Sequence, residues 1–253
     1  MSKTSQLMSN RAEFLIEASV SSSPAEGAAI LKSRGWLSDR DSEFQEALLG
    51  ICRWRHFEPG ETLISAGDIC APLVGIASGS AAVVTSLGPP DTPLTHICHP
   101  GWWAGYVPLI AGRPTDNATV ARTPVYAAVA TKSAAEALLS ENPGRWKHFA
   151  RLALYYGEVA ANIVADLLIR ESDRRCAATL LRIADCRFQG QAPAFASVSQ
   201  TDLAAIANLS RKTANAILRD FELNGLVARH YNQIDILDPA SLRRVADGES
   251  APV

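Results

Sequence analysis

The chain has 253 residues, 47% of them hydrophobic, with 24 Lys and Arg against 26 Asp and Glu, a formal net charge of −2. That length supports two modest domains with cores of their own, and the charge excludes a protein that coats nucleic acid through overall basicity. The five cysteines are scattered without a C-x-x-C pair, which excludes zinc-ribbon and iron–sulfur frameworks and fits a reducing cytoplasm.

Residues 1–22 are polar and Ser-rich and read as a flexible N-terminus. Their few cations and the short Phe14-Leu15-Ile16 run do not make an export signal. Ser23-Pro24 suits a helix N-cap and first position, with Gly35 as the stop. A second helix is expected from near Ser38, carrying Phe44, Leu48 and Leu49. From Phe57 to about Thr131 the apolar runs shorten to Thr62–Ile64, Leu73–Ala77, Ala81–Val84 and Leu94–Ile97, with a late strand across Val120–Ala130. Between them stand Pro59-Gly60, Gly67-Asp68, Ser78-Gly79-Ser80, Gly88-Pro89-Pro90 and Pro100-Gly101. Short strands punctuated at this interval predict a β-roll or jelly roll. Residues 69–90 carry no charge, but their prolines and glycines break any membrane helix, so no membrane is expected as a partner.

Lys132 to Leu139 reads as a short helix. Asn142-Pro143 then opens the longest one, running to about Arg170. Trp146, Phe149, Ala153, Tyr156, Ala160, Ile163 and Leu167 follow one another at alternating steps of three and four. A sustained period of about 3.5 is that of a coiled-coil seam, so this helix is expected to dimerise the chain through those residues.

Ser199 to Leu226 carries two short helices with a sharp turn between them. Ser199 caps the first and Asp202 completes an acidic capping box. Asn208 falls where the chain must turn, and Asn is among the few residues that tolerate positive φ. Ser210 caps the second helix, whose Ala214, Ile217, Leu218 and Phe221 share one face. Gly225 suits its C′ position. Val227–Arg229 and Ile234–Ile236 then form two strands around Tyr231-Asn232-Gln233, a wing that places Arg229, His230 or Tyr231 near a phosphate backbone, and Asp238-Pro239 starts a last helix. This is a winged helix-turn-helix. In such a unit the second helix enters the major groove by its N-terminal end. Arg211 and Lys212 occupy its first turn, where the helix dipole disfavours cations, and Asn215 lies one turn on. Arg can fork onto guanine and Asn onto adenine, so double-stranded DNA is the expected partner. Residues 171–253 hold ten Lys and Arg and ten Asp and Glu, so any basic surface there is local.

The expected organisation is therefore α+β: a flexible segment over 1–22, a β-roll with flanking helices over 23–141, a dimerisation helix over 142–170 and a winged helix-turn-helix over 171–253. Two recognition helices would face successive major grooves roughly 34 Å apart, on an inverted repeat. No catalytic constellation stands out. His96, Cys98 and His99 are close in sequence but do not converge as metal ligands, so neither a metal nor a cofactor is expected. A cupin-like enzyme with His96 and His99 as ligands is the competing reading from another class. A binding or interaction module that has lost DNA binding is a third.

Taken in this order, the roll, the long helix and the winged helix-turn-helix resemble the Crp–Fnr family of bacterial transcription regulators. The local matches are Pro59-Gly60-Glu61, Gly67-Asp68, Gly79-Ser80, Pro100-Gly101 with Gly105, and the helix-turn-helix. The resemblance implies a cytoplasmic regulator in which Arg211 reads a guanine, Ser199 and Thr201 touch phosphates, and Ser210, Lys212 and Asn215 join the DNA surface. If it activates, it would also contact RNA polymerase. Lys212 stands where many members have Glu and Ala216 where many have Arg, so the DNA site departs from the common one. In members that bind cyclic nucleotides a Gly-Glu-Leu segment takes the ribose, and an Arg-Ser/Thr-Ala segment neutralises the phosphate. Here those positions read Gly105-Tyr106-Val107 and Asp116-Asn117-Ala118. An acid in place of the arginine repels a phosphate, so the effector site is degenerate and cyclic AMP is not expected. Another small-molecule effector, held by Trp102, Trp103 and Tyr106, and a roll that needs no effector remain alternatives.

Overall fold

The computed structural model describes residues 23–86, 94–187 and 194–249. Their contacts form two compact units, divided inside the longest helix between Gly157 and Glu158.

The first unit opens with helices α1 (Pro24–Ser33), α2 (Gly35–Ser38) and α3 (Ser42–Gly50). The Ser23 hydroxyl accepts the Glu26 N–H at 3.3 Å, with Pro24 at the first helical position, as expected. The next helix departs from expectation. Residues 35–38 make a turn of their own, and α3 starts after Asp41, whose carboxylate accepts the Phe44 N–H at 2.9 Å.

The roll comprises strands β1 (Arg53–Phe57), β2 (Thr62–Ile64), β3 (Leu73–Ser78), β4 (Ala81–Thr85), β5 (Leu94–Cys98), β6 (Trp103–Ala104), β7 (Asn117–Ala121) and β8 (Val125–Ala130), with helix α4 (Tyr106–Ala111) between β6 and β7. They form two four-stranded sheets, β1-β8-β3-β6 and β2-β7-β4-β5. The stretch expected as one late strand is two, because Pro124 cannot donate to a ladder and the chain changes sheet there. Strand β1 hides in sequence because Arg53, Arg55 and His56 make it read as polar, yet it pairs along its whole length with β8. Between the sheets, Phe57, Leu63, Val74, Ile76, Cys98 and Val125 belong to one buried cluster.

The roll is closed by helix α5 (Lys132–Glu141), a 3-10 turn (Pro143–Arg145) and the long helix α6 (Trp146–Leu167). Phe149, Leu152 and Tyr156 of α6 are buried, and Trp36 packs 5.6 Å from Phe149, 5.8 Å from Phe44 and 5.9 Å from Trp103. The Tyr156 hydroxyl accepts the Trp103 N–H at 2.8 Å and donates to the Trp103 carbonyl at 2.7 Å, tying the edge strand β6 to α6.

This corrects the expected seam. Phe149 and Tyr156 are committed to the core of their own unit and are not free to meet a second chain. Ile163 is half-buried; Trp146, Ala153, Ala160 and Leu167 are exposed. A different face of α6 is apolar and open to solvent: Leu154, Gly157, Ala161, Val164 and, just past its end, Leu168 are all exposed. They too are spaced three, four, three and four. The helix carries two such stripes side by side, and of the first only Phe149 and Tyr156 turn into the core.

The second unit follows with α7 (Ser172–Ile183), β9 (Ala194–Ala196), α8 (Gln200–Ile206), α9 (Arg211–Leu223), β10 (Val227–His230), β11 (Gln233–Ile236) and α10 (Pro239–Asp247). The three strands form one sheet in the order β10-β11-β9. Helix α7 and strand β9 had no counterpart in the expected elements, although Cys176, Ala177, Leu180 and Leu181 of α7 recur at helical spacing and are buried.

Replacing Tyr156 by Phe leaves both polar groups of the Trp103 backbone without their buried partner. The substitution should destabilise the protein by about 1–3 kcal/mol, seen as a lowered urea midpoint with unchanged slope; an unmoved midpoint would deny the hydroxyl its bridging role.

Candidate nucleic-acid interface

The turn between α8 and α9 is built from backbone and caps. The Ser199 hydroxyl accepts the Asp202 N–H at 3.1 Å and donates to the Asp202 carboxylate at 2.5 Å. Helix α8 ends at Ala207, and Asn208 takes φ +51°. This left-handed residue lets the Leu209 N–H reach back to the Ala204 carbonyl at 2.8 Å and reverses the chain within three residues. Buried Leu203, Ala204, Ile206, Ala214, Leu218 and Phe221 fill the space between the two helices and what lies beneath. The Ser210 hydroxyl accepts the Thr213 N–H at 3.0 Å and opens α9.

Helix α9 ends in a Schellman arrangement. Gly225 has φ +70°, its N–H reaches the Glu222 carbonyl at 3.0 Å, and the Leu226 N–H reaches the Phe221 carbonyl at 2.9 Å. The following hairpin is bolted to α9. Arg229 donates from Nε to Glu222 Oε2 at 2.8 Å, and its backbone N–H reaches Oε1 at 3.0 Å. These hydrogen bonds hold the Glu222 carboxyl below its usual range. Arg229 is thus a structural pin, and His230 is held by Asp235 at 3.0 Å. At the hairpin tip Asn232 takes φ +54° and Tyr231 stands 93% exposed.

The cations of this unit divide sharply. Among the described residues after Glu171, Arg174, Arg182, Arg187 and Arg229 are in ion pairs. Arg175 and Arg243 donate to carbonyls and Arg244 to the Ser241 hydroxyl. Arg211, Lys212 and Arg219 are left, exposed and without a partner, and all three lie on α9. Lys212, Ala216 and Arg219 follow at steps of four and three, so they share a stripe opposite the buried one. Arg211 and Lys212 occupy the first turn, at the positive end of the helix dipole. Thr201 is exposed on α8, whereas Ser199 and Ser210 spend their hydroxyls on caps. Asn215 is half-buried and its Oδ1 has no partner. A unit with equal numbers of opposite charges thereby offers one helix face as a cluster of unpaired donors.

In the roll, the residues expected at the effector positions have contacts of their own. Gly105 takes φ +85° and caps α4, and any Cβ there would strike the Pro72 carbonyl. The Tyr106 ring lies 5.1 Å from that of Tyr156, which in turn is 4.4 Å from Trp102. Asp116 pairs with Arg113 at 2.6 Å, and its carbonyl accepts from Ser86. Asn117 begins β7 and is exposed. His96 is buried against Trp102, with 4.8 Å between ring centroids. Among the described residues no group of three or more His, Cys, Asp or Glu is placed to hold a metal ion. Burial pushes the Cys52 and Cys176 thiols up to about 12 and Cys98 well above its ordinary value, the reverse of an activated thiolate. No helix among the described residues is long and apolar enough to cross a membrane.

Residues 54–142 match the cyclic nucleotide-binding domain, and residues 174–245 match the Crp-like helix-turn-helix domain. A CRP-family transcriptional regulator from Thermus thermophilus is 25% identical, with 76% of this chain and 96% of that one covered at a TM-score of 0.59. FixK2 from Bradyrhizobium japonicum is 14% identical over 80% of this chain and 100% of that one, with a TM-score of 0.64. A putative cyclic nucleotide binding protein from Ruegeria pomeroyi is 16% identical over 88% and 98%, also at 0.64; these last two likenesses concern the fold. No curated protein sequence matches the chain significantly.

The left-handed turn makes a direct prediction. Asn208→Ala should destabilise the protein by about 1 kcal/mol, whereas Asn208→Gly should be nearly neutral. Equal thermal midpoints for the two variants would mean that the turn relaxes out of this geometry.

Proposed function

The chain belongs to the Crp–Fnr family of transcription regulators, and we propose that it binds an inverted-repeat DNA site as a homodimer without control by cyclic AMP. One observation carries the DNA-reading part: the partnerless cations after Glu171 all stand exposed on α9, two of them in its first turn. Arg211 and Lys212 have only donors to offer, so they suit the O6 and N7 acceptors of guanine in the major groove. Asn215 and the Ala216 methyl follow one turn deeper, with Thr201 toward the phosphates and Ser199 and Ser210 serving through the caps they make. Arg229, His230 and Tyr231 differ in what each still offers, since Glu222 and Asp235 already hold the first two.

The dimer uses the second stripe of α6, Leu154, Gly157, Ala161, Val164 and Leu168. These residues are exposed, apolar or small, and in heptad register. Gly157 and Ala161 at its centre let two helices approach closely. As to control, Tyr106 stands where a ribose-binding acid would be, and Asp116 stands where a phosphate-binding arginine would be. The nearest candidate cation, Arg113, is committed to Asp116. A cyclic phosphate would therefore meet a cation already engaged by a neighbouring carboxylate.

Selection from random-sequence DNA at fixed moderate salt should enrich an inverted repeat with no ligand added, and millimolar cyclic AMP should leave the affinity unchanged; no enrichment, or a strong cyclic AMP response, refutes the corresponding part. In the same assay Arg211→Ala should lose about 1–3 kcal/mol on the preferred site and relax one base pair of each half-site. Val164→Asp should weaken the dimer at least about tenfold, or about 1.4 kcal/mol, in sedimentation equilibrium. A tight dimer in that variant would move the interface elsewhere.

A further inference from the structure

Between the end of α6 and the start of α7 the chain runs through Leu168, Ile169, Arg170 and Glu171 without regular structure beyond a final helical turn. Such a segment leaves its carbonyls without intrahelical donors, as does the C-terminal end of any helix. One side chain serves both places. Arg175, in the second turn of α7, donates from Nη1 to the carbonyls of Ile169 and Arg170 and from Nε to the carbonyl of Ala207 at 2.8 Å. Ala207 is the C-cap of α8 and the residue before the left-handed Asn208. A single guanidinium thus holds the connecting segment and the turn of the helix-turn-helix in one fork. Only Arg has enough donors in a fixed plane to do so.

A second strap lies seven residues along the same face of α7. Arg182 donates from Nε to Asp166 on the last turn of α6 at 2.9 Å, and both side chains are more than nine-tenths buried. Arg187 reaches the other oxygen of Asp166 at 3.5 Å and holds Asp247 of α10 at 2.9 Å. The end of α6, the connecting segment and the helix-turn-helix are therefore tied through two arginines two turns apart on one helix.

We propose that Arg175 is a positioning residue for DNA recognition: by clamping the α6–α7 connection to the turn before α9, it sets the distance between the two recognition helices and hence the half-site spacing. This rests on the dimeric, DNA-reading function proposed above. Without the fork, the connection is still held to α7 through Asp166 and by its own final helical turn, but it is no longer tied to the turn before α9. Each recognition helix could still read a half-site, but the pair would no longer be held to one separation.

The test uses the full-length protein and a DNA library in which two selected half-sites are separated by a variable number of base pairs. Wild type should enrich one spacing sharply. Arg175→Ala should spread enrichment over several spacings and bind the best wild-type site at least tenfold more weakly, while its affinity for DNA with a single half-site changes less than threefold. Arg175→Lys keeps the charge and the aliphatic stem, and so the fold, but cannot fork onto three carbonyls; it should show the same broadening. Arg174→Ala, which removes the pair with Glu171 and the donation to the Ala246 carbonyl of α10 but leaves the three-carbonyl fork intact, should keep the wild-type profile. A sharp, unshifted spacing preference in a folded Arg175→Lys or Arg175→Ala variant overturns the proposal. So does an equal loss on single half-sites, which would mean that Arg175 acts on the recognition helix itself. If wild type enriches single half-sites but no spacing, the positioning role fails while DNA reading stands. If it enriches no DNA at all, the reading on which the role rests has failed.

Discussion

The first unit depends on the burial of Trp103. Its indole is wholly enclosed, and it fits only because residue 75, its cross-strand partner, is glycine: a Cβ there would lie 2.7 Å from the ring. Overpacked cores shift strands rather than compress, so this pair sets how closely β6 can lie along β3. Trp36 then packs edge-on to Trp103, and Tyr156 closes both backbone polar groups of the same residue with one hydroxyl. Helix α6 is held by that hydroxyl and by the Phe149 ring. The helices before the roll, its edge strand and the long helix after it therefore meet at one side chain.

That arrangement reaches the effector positions. Tyr156, having bridged to Trp103, also stacks on Tyr106, and Trp102 lies against it as well. Tyr106 presents a ring to another ring, and the Arg113–Asp116 pair neutralises the charge at the far end of the same segment. Tyr106 and Asp116 thus each find a partner within the chain.

The second unit solves a different problem, how a segment with no net excess of positive charge presents a cationic face. It does so by assignment of partners. Arginines on α7, on the hairpin and on α10 are bound to carboxylates, carbonyls or a hydroxyl, while the cations of α9 have none. Long-range attraction to an anion is correspondingly modest, since the paired charges cancel beyond a Debye length. What remains is short-range and directional, suited to hydrogen-bond acceptors on one narrow surface.

Much of this was legible in the amino-acid order because it is local. Ser199, Asn208, Ser210 and Gly225 announce caps and left-handed turns through their own backbone preferences, and each stands in that role. The glycine and proline punctuation of the roll marks strands for the same reason. The long helix was legible as a helix, but not which way it faced. Two apolar stripes with the same period run along it, and period alone assigns neither to the core; only the Trp36, Phe44 and Trp103 rings decide that Phe149 and Tyr156 turn inward while Leu154 and Val164 remain outside. Strand β1 was likewise hidden, since its identity comes from a partner strand. The charges divide in the same way. Sequence counts ten cations after residue 170, but only the tertiary structure, by bringing carboxylates and carbonyls to most of them, decides that the ones left over lie on a single helix.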